Sequence, residues 1–425
     1  MPDKNAPTLI LGGGFTGLFT ALHLSRMHYT RPVYLLDKEE NFAFKPLLYE
    51  LLSGEMDSHQ VVPRYEELLE GNAIRFVHGM VSAVDLPGRR VQLASGLSYA
   101  YWNLVLALGS CAGYFGVEGA REHSFAFRTG DDVLSLKRHL RESLQRAGQT
   151  EDSTERRRLL TVAVVGAGPS GLELASTLAD WLPGRYRQLG GDGSEIRIVL
   201  LHRGSEILQG DMNYNLRWTV HQSLPRHVVP IELEVETQVT AVRPDGLTLN
   251  MRGTSEDLPA ATCIWTAGTQ AHPLLKTLVP EEQRDKRGQL RVTPTLQLPT
   301  FPEVFAGGDC AIDAEKPLPA IAQVAYQQGY AIAHNLKALS EGHPPVAAEV
   351  HLRGTLMKLG VGEAAAELYD RYEIKGHLGH LLRQVRYLEL LPTPIHNFKA
   401  TTEWLTDAIF HRMEKAQSGH PDHDV

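Results

Sequence analysis

Cysteine is scarce in this chain, with three in 425 residues, at Cys111, Cys263 and Cys310. None pairs with another as C-x-x-C, so neither a zinc ribbon nor a dithiol redox centre is expected, and no metal site is predicted. So few thiols suit a reducing compartment. Long apolar runs are missing too: none reaches the ~18 residues that a membrane-spanning helix needs. The third absence is blocks of positive charge. The formal net charge is −8 with no long Lys/Arg run, which removes the basic footprint that a nucleic-acid partner requires. The first apolar run, at 9–11, passes straight into glycines instead of a cleavage site, so no secretory leader is expected. A soluble or peripheral cytoplasmic protein is the default. Its 43% apolar content allows real cores, and its length suits two or three domains.

What the chain does have is one pattern made twice. "TLILGGGFTGLFTALHL" at 8–24 and "TVAVVGAGPSGLELASTLAD" at 161–180 each read as an apolar strand, a glycine turn and a helix. Gly12 and Gly166 stand 154 positions apart, each opening its own βαβ unit. Two dinucleotide-binding domains in one α/β chain are predicted.

The first turn is Gly12-x-Gly14-x-x-Gly17, with Phe15 and Thr16 between the last two glycines. The first glycine of such a turn permits the bend, the second lets backbone approach a pyrophosphate, and the third lets helix pack on strand. The helix N-terminus then offers free N–H groups and partial positive charge. Asp37, 20 positions after Gly17 at the end of the next strand, is placed to accept hydrogen bonds from a ribose, with Lys38 beside it. Alone, the same pattern also makes a tight strand–helix turn with no ligand.

The second turn is Gly166-x-Gly168-x-x-Gly171, with Pro169 and Ser170 inside it. Here the acid at the end of the next strand is absent; "IRIVLLHRG" puts His202 and Arg203 there. An Arg accommodates a 2′-phosphate by charge-assisted hydrogen bonds, so the first site suits FAD and the second NADPH. Glu206 lies close enough to restore an acid, which keeps NADH among the expected donors. Glu173, near the start of the second helix, is read two ways: as an acid complementing the helix dipole, or as a group beside a nicotinamide–flavin stack. Farther on, "VFAGGD" ends a strand at Gly308 and Asp309; a carboxylate there can bind the ribityl hydroxyls of a flavin, or serve only as an N-cap. Gln323 and Gln327 share a helix face four residues apart. Their amides are placed to hydrogen-bond a quinone carbonyl or to face solvent.

Together these stretches resemble a type II NAD(P)H:quinone oxidoreductase of the two-dinucleotide-binding-domain flavoprotein superfamily. The resemblance runs through "LILGGGFTGL", "LVLALGSCAGYFGVEGAREHSF" with Leu108 and Gly109, "VVGAGPSGLELA", "WTAGT" with Gly268, "VFAGGDCA" and "AQVAYQQG". The last matches the family's A-Q-x-x-x-Q quinone pattern at Ala322, Gln323 and Gln327. "FKPLLYELLSGEM", with Lys45, resembles the family stretch that lines the flavin. The resemblance implies Glu173 as the family's glutamate. It also implies hydride transfer from NAD(P)H to FAD, then two-electron reduction of a quinone without proton pumping. The implied fold is two Rossmann-like domains with the second inserted in the first. The FAD-binding domain takes 1–120, the NAD(P)H-binding domain 121–267, and the chain returns to the FAD-binding domain at 268–342. A C-terminal helical membrane-associating region follows at 343–425. Its sequence looks closer to the cyanobacterial and plastid branch, which reduces demethylphylloquinone or related prenylquinones and prefers NADPH.

A prenylquinone of the plastoquinone, demethylphylloquinone or menaquinone type lives in lipid. Leu378, Leu381, Leu382, Val385 and Leu388 are expected to form one apolar face, with Arg383 and Arg386 off it; Leu405, Ala408, Ile409 and Met413 form another near Trp404. A basic amphipathic segment in an acidic chain fits interfacial attachment, on the inner face of a plasma or thylakoid membrane. Packing on the body or on a second copy in a homodimer would give the same pattern. The rival readings are a soluble reductase of a ferredoxin- or rubredoxin-like protein and a redox-sensing flavoprotein without turnover.

Overall fold

A computed structural model describes residues 6–208, 214–352, 354–368, 372–374 and 376–389. The principal elements run β1 (Thr8–Leu11), α1 (Phe15–Arg26), β2 (Val33–Asp37), α2 (Leu48–Ser53), β3 (Ile74–His78), β4 (Asn103–Leu106), α3 (Gly130–Gln149), β5 (Thr161–Val165), α4 (Pro169–Gln188), β6 (Arg197–Leu201), β7 (Ile231–Glu234), β8 (Thr262–Trp265), β9 (Gln297–Leu298), β10 (Phe301–Ala306), α5 (Ala322–Ser340), β11 (Thr355–Lys358), β12 (Ala364–Leu368), β13 (Tyr372–Ile374) and α6 (Gly376–Glu389).

Two parallel sheets carry the molecule. The first has the order β9-β10-β4-β1-β2-β3, parallel except for β9; the second is β7-β6-β5-β8, parallel throughout. β1, β4, β5 and β8 are buried at every residue. Strands covered on both faces must be apolar throughout, which is why they read as runs instead of alternations. In each sheet the strand order reverses at the strand before the glycine turn, and ligands of such sheets bind in the crevice beyond the strand ends at that reversal.

Each sheet receives a three-stranded antiparallel meander before its next strand, Val81–Asp85 to Ser98–Ala100 in the first and Thr237–Arg243 to Thr254–Pro259 in the second. Between the sheets the outgoing chain at Ser110–Ala112 pairs antiparallel with the returning chain at Thr269–Ala271. The α/β architecture with two parallel sheets is as expected.

β4 stops at Leu106. The polar stretch 150–158 is a helix over Ser153–Leu160, capped by Asp152, whose carboxylate accepts the N–H of Thr154 at 2.8 Å. One expectation needs correcting. The C-terminal region is not helical alone: β11, β12 and β13 form an antiparallel sheet before α6. Its strands are only three to five residues long and β12 opens on three alanines, so no period-2 signal marks them. Among the described residues no helix is long and apolar enough to cross a membrane.

Candidate functional site

In both turns the outer glycines are required by protein and the middle one is not. Gly12 has φ +99°, and a Cβ there would lie 2.3 Å from the Ala107 carbonyl oxygen; at Gly17 it would lie 1.8 Å from the Gly12 oxygen. Gly166 (φ +109°) and Gly171 repeat this, with 2.8 Å to the Ala267 backbone and 1.8 Å to the Gly166 oxygen. A Cβ on Gly14 or Gly168 would meet nothing within 4 Å. Gly14 and Gly168 are also the N-caps of α1 and α4, and neither helix has a side-chain cap. Two open cradles thus face the uncapped N–H groups of two helices, an arrangement that fits pyrophosphates.

The carboxylate of Asp37 accepts the N–H of Gly13 at 2.5 Å and of Glu39 at 2.8 Å, so it lies against the first turn. Burial pushes its carboxyl up, and the two N–H donors pull it back. Lys38 turns outward to Glu39 at 3.0 Å. Phe15 packs in an aromatic cluster with Phe19, Phe42 and Phe44. Thr16 donates to the Ala325 carbonyl at 3.1 Å and so ties α1 to α5. The side chains of these three residues therefore serve packing and surface pairing.

At the other side of the crevice, Asp309 accepts from Ser110 Oγ at 2.8 Å, and Arg128 donates to the Ser110 carbonyl at 2.6 Å and hydroxyl at 2.9 Å. Gly308 N–H donates to Gln328 Oε1 at 2.7 Å. A cleft of about 340 Å³, counted to its solvent mouth, is lined by Gln289, Gly308, Asp309, Lys316, Ile321 and Gln328. The uncapped start of α5, next to Ala322, borders it. Lys45 is exposed to solvent yet set deep among protein atoms. That crowding and the neighbouring Arg128 lower its ammonium, with Asp309 opposing. Leu108 and Gly109 lead the chain from β4 into this crevice, and Gly268 accepts the N–H of Gly113 where the two sheets are joined.

The second turn copies the first with a different side chain. Ala167 N–H donates to His202 Nδ1 at 3.4 Å, as Gly13 N–H donates to Asp37. His202 holds the place that Asp37 holds in the first turn, and burial lowers its pKa. Arg203 is exposed. Glu206 pairs with Arg217 at 2.7 Å. Pro169 and Ser170 are exposed at the mouth of the turn.

Glu173 does not complement the helix dipole: it is the fifth residue of α4 and is buried. One of its oxygens accepts the Lys358 N–H at 2.8 Å and lies 4.0 Å from Arg383, and the Tyr49 phenol hydrogen-bonds it. Burial pushes its carboxyl up, with Arg383 opposing. Behind it Glu50 is ion-paired with Arg383 and with Lys358, the latter at 3.3 Å. Glu50, Lys358, Arg383, Tyr49 and Arg128 were not anticipated. The signal was available for two of them, since Glu50 in "PLLYELL" and Lys358 in "TLMKLG" are single charges inside apolar runs.

Gln323 and Gln327 share a face of α5, as expected, and their amides meet backbone. Gln327 accepts the His351 N–H at 2.9 Å and donates to the His351 carbonyl at 3.0 Å, while Gln323 donates to the Gly354 carbonyl at 3.1 Å. Asn335 repeats the two-way clamp on Val346, at 2.9 Å in both directions. These amides hold Val346, His351 and Gly354 against α5, just before β11. On α6, Leu381 is 43% exposed while Arg383 is fully buried. The side chains of Leu378, Val385, Arg386 and Leu388, and everything at 390–425 including the second expected face, lie outside the described residues.

The three cysteines are free thiols. Burial pushes Cys263 up to about 12 and Cys310 up to about 11, which leaves neither poised as a thiolate nucleophile.

Comparison with known proteins gives concordant results. Residues 6–329 match the model of the pyridine nucleotide-disulphide oxidoreductase family. The chain is 32% identical to demethylphylloquinone reductase NdbB of Synechocystis sp., covering 96% of this chain and 97% of the relative. It is 30% identical to the alternative NAD(P)H-ubiquinone oxidoreductase C1, chloroplastic/mitochondrial, of Arabidopsis thaliana, covering 98% and 84%. The fold resembles NDH2 from Plasmodium falciparum, solved in complex with NADH, with a TM-score of 0.82 over 95% of this chain and 98% of that one at 17% identity.

Proposed function

Since the chain belongs to the pyridine nucleotide-disulphide oxidoreductase family, we propose that it is an FAD-dependent type II NAD(P)H:quinone oxidoreductase. The observation that carries this reading is the pair of open glycine cradles, joined to full-length similarity with a demethylphylloquinone reductase and an NAD(P)H-ubiquinone oxidoreductase. FAD, when bound, supplies acceptance of a hydride from NAD(P)H and delivery of two electrons to a quinone.

The residues of the chain supply the rest. The Gly12–Gly17 turn and the start of α1 hold the FAD pyrophosphate, Asp37 a ribose, and Asp309 the ribityl chain. Lys45 and Arg128 place positive charge in the crevice. The Gly166–Gly171 turn holds the pyrophosphate of the nicotinamide nucleotide. Glu173, buried and held by Lys358 and Tyr49, is the group that handles a proton. A quinone enters near Gln323 and Gln327, at the end of α5 that opens on the cleft. We assign 1–120 and 268–342 to FAD and 121–267 to NAD(P)H. The quinone is of the prenyl type, and the chain attaches peripherally to a membrane through its C-terminal region; exposed Leu381 on α6 supports that placement.

NADPH is the preferred donor on this reading. His202 and Arg203 stand where an acid would repel a 2′-phosphate, and Glu206 is engaged by Arg217. His202→Asp combined with Arg203→Ser should move the ratio of kcat/KM values toward NADH by about 10- to 100-fold, the loss of one or two charge-assisted hydrogen bonds. Parallel NADPH and NADH oxidation assays check this; an unchanged ratio would remove the pair from coenzyme choice. The function itself is tested by purification, a flavin spectrum and oxidation of both nucleotides with several quinones. Material that stays colourless when supplied with FAD would overturn it.

A further inference from the structure

Five charged side chains meet outside the nucleotide cradles. Glu50 and Glu55 come from α2 and the turn after it, Glu173 from α4, Lys358 from β11 and Arg383 from α6. Glu50, Lys358 and Arg383 are fully buried. Lys358 bridges Glu50 (3.3 Å) and Glu55, and Arg383 binds Glu50 and donates to the Pro46 carbonyl at 2.6 Å. Buried ion pairs are weak evidence for stability, since apolar replacements of similar volume are often neutral or better. A cluster of this size therefore calls for another account. Its layout offers one: both cations belong to the C-terminal segment, Glu50 and Glu55 to α2 and the turn after it, and Glu173 accepts the Lys358 N–H and lies 4.0 Å from Arg383.

We propose that Glu50 is a positioning residue for the reaction, holding Arg383 and Lys358 of the C-terminal segment around Glu173. The proposal rests on the reading of Glu173 as the proton-handling group. Its consequence is electrostatic. Glu50 takes most of the field of Arg383, whose guanidinium is also 4.0 Å from Glu173. Removing the Glu50 charge frees Arg383 for Glu173 and removes a repulsion, which favours ionised Glu173. Removing the Arg383 charge leaves two carboxylates facing each other with less compensation, which favours protonated Glu173. Burial already pushes the Glu173 carboxyl up, with Arg383 and Glu50 acting in opposite directions. The other titratable groups here among the described residues are Tyr49 of α2, Glu55, Lys358 of β11, and His380 and Tyr387 of α6. All are unaltered in both variants, so opposite shifts belong to the Glu50–Arg383 pair.

The test uses full-length, FAD-loaded enzyme as wild type, Glu50→Gln, Arg383→Gln and Glu173→Gln. Two readouts are taken across pH: the infrared band of the protonated Glu173 carboxyl, identified by its loss in Glu173→Gln, and kcat with NADPH and a soluble quinone. Glu50→Gln should move the titration of that band, and the matching limb of kcat, down by about one pH unit or more, and Arg383→Gln up by a similar amount. General loosening of the C-terminal segment would move both variants the same way. Shifts in one direction, or no shift in Glu50→Gln, overturn the proposal. If Glu50→Gln does not retain flavin, Glu50→Asp and Lys358→Met replace it; the first should keep the wild-type titration, and the second, which keeps the Lys358 N–H on Glu173, should shift it less than Arg383→Gln. Wild-type kcat in Glu173→Gln at every pH would overturn a role in the reaction even with the infrared shifts intact. Failure of the wild type to reduce any quinone would instead overturn the functional reading, which the infrared titration does not depend on.

Discussion

Gly17→Ala should give a protein that barely folds, whereas Gly14→Ala, three residues earlier in the same turn, should fold normally and come out colourless. At Gly17 a methyl group would sit 1.8 Å from the Gly12 carbonyl oxygen. The clash is with backbone in the turn between β1 and α1, so no side chain can move to relieve the strain; a loss of about 3 kcal/mol is expected. At Gly14 the same methyl meets no protein atom within 4 Å, and the residue has φ −65° and ψ −167°, which alanine adopts freely. It would occupy only the space into which a pyrophosphate must come. Melting of flavin-stripped protein separates the two, because only Gly17→Ala lowers the transition there, while flavin absorbance after purification should be lost in both. The second turn offers the matching contrast. Gly171→Ala should destabilise, and Gly168→Ala should keep FAD and lose NADPH binding, read by titration of the nucleotide. A Gly14→Ala protein that purified fully yellow would mean that the open cradle is not where the cofactor lies.

The glycine turns were readable because they obey local rules: three glycines, a strand before and a helix after, with the demand at Gly17 and Gly171 set by Gly12 and Gly166 in the same turn. Asp37 and His202 were readable because each stands at the end of the strand that follows the helix, and the structure gives them equivalent hydrogen bonds from Gly13 and Ala167. The ion cluster was not readable as a cluster. Glu50 and Arg383 are 333 positions apart and Glu55 and Lys358 are 303 apart; nothing local to either partner names the other. Helical periodicity kept Arg383 off the apolar face but could not say that its guanidinium would be buried in the protein while Leu381 stays exposed. The amides of Gln323 and Gln327 show the same limit. Their shared face followed from spacing four, while their partners, His351 and Gly354, depend on how a strap lacking regular structure lies along α5. Motif logic found the residues, and only packing assigned their contacts.

Acid should weaken this protein through Glu50, and the effect should vanish in Glu50→Gln. Burial alone would push the Glu50 carboxyl up, but Arg383 and Lys358 hold it down at about 2, against an ordinary 4.5. Its folded value lies below its unfolded one, so it contributes stability that is fully present above about 4.5 and is lost as pH falls toward about 2. A depression of that size corresponds to about 3 kcal/mol. Glu173 has the opposite sign. Its folded value is raised by burial, so its ionised form weakens the fold at neutral pH and protonation relieves this as pH falls, offsetting some of the Glu50 loss. Denaturant unfolding of the flavin-loaded enzyme at pH 7, 4.5 and 3 should therefore show Glu50→Gln less stable than wild type at pH 7. It leaves Arg383 and Lys358 buried with less counter-charge, at a cost of about 3–5 kcal/mol. The gap should narrow steadily below pH 4.5, where the wild type protonates its own Glu50 and comes to resemble the variant. A gap of constant size across this range would mean that Glu50 is not an ionised partner of Arg383, and the cluster would then be held by packing and neutral hydrogen bonds.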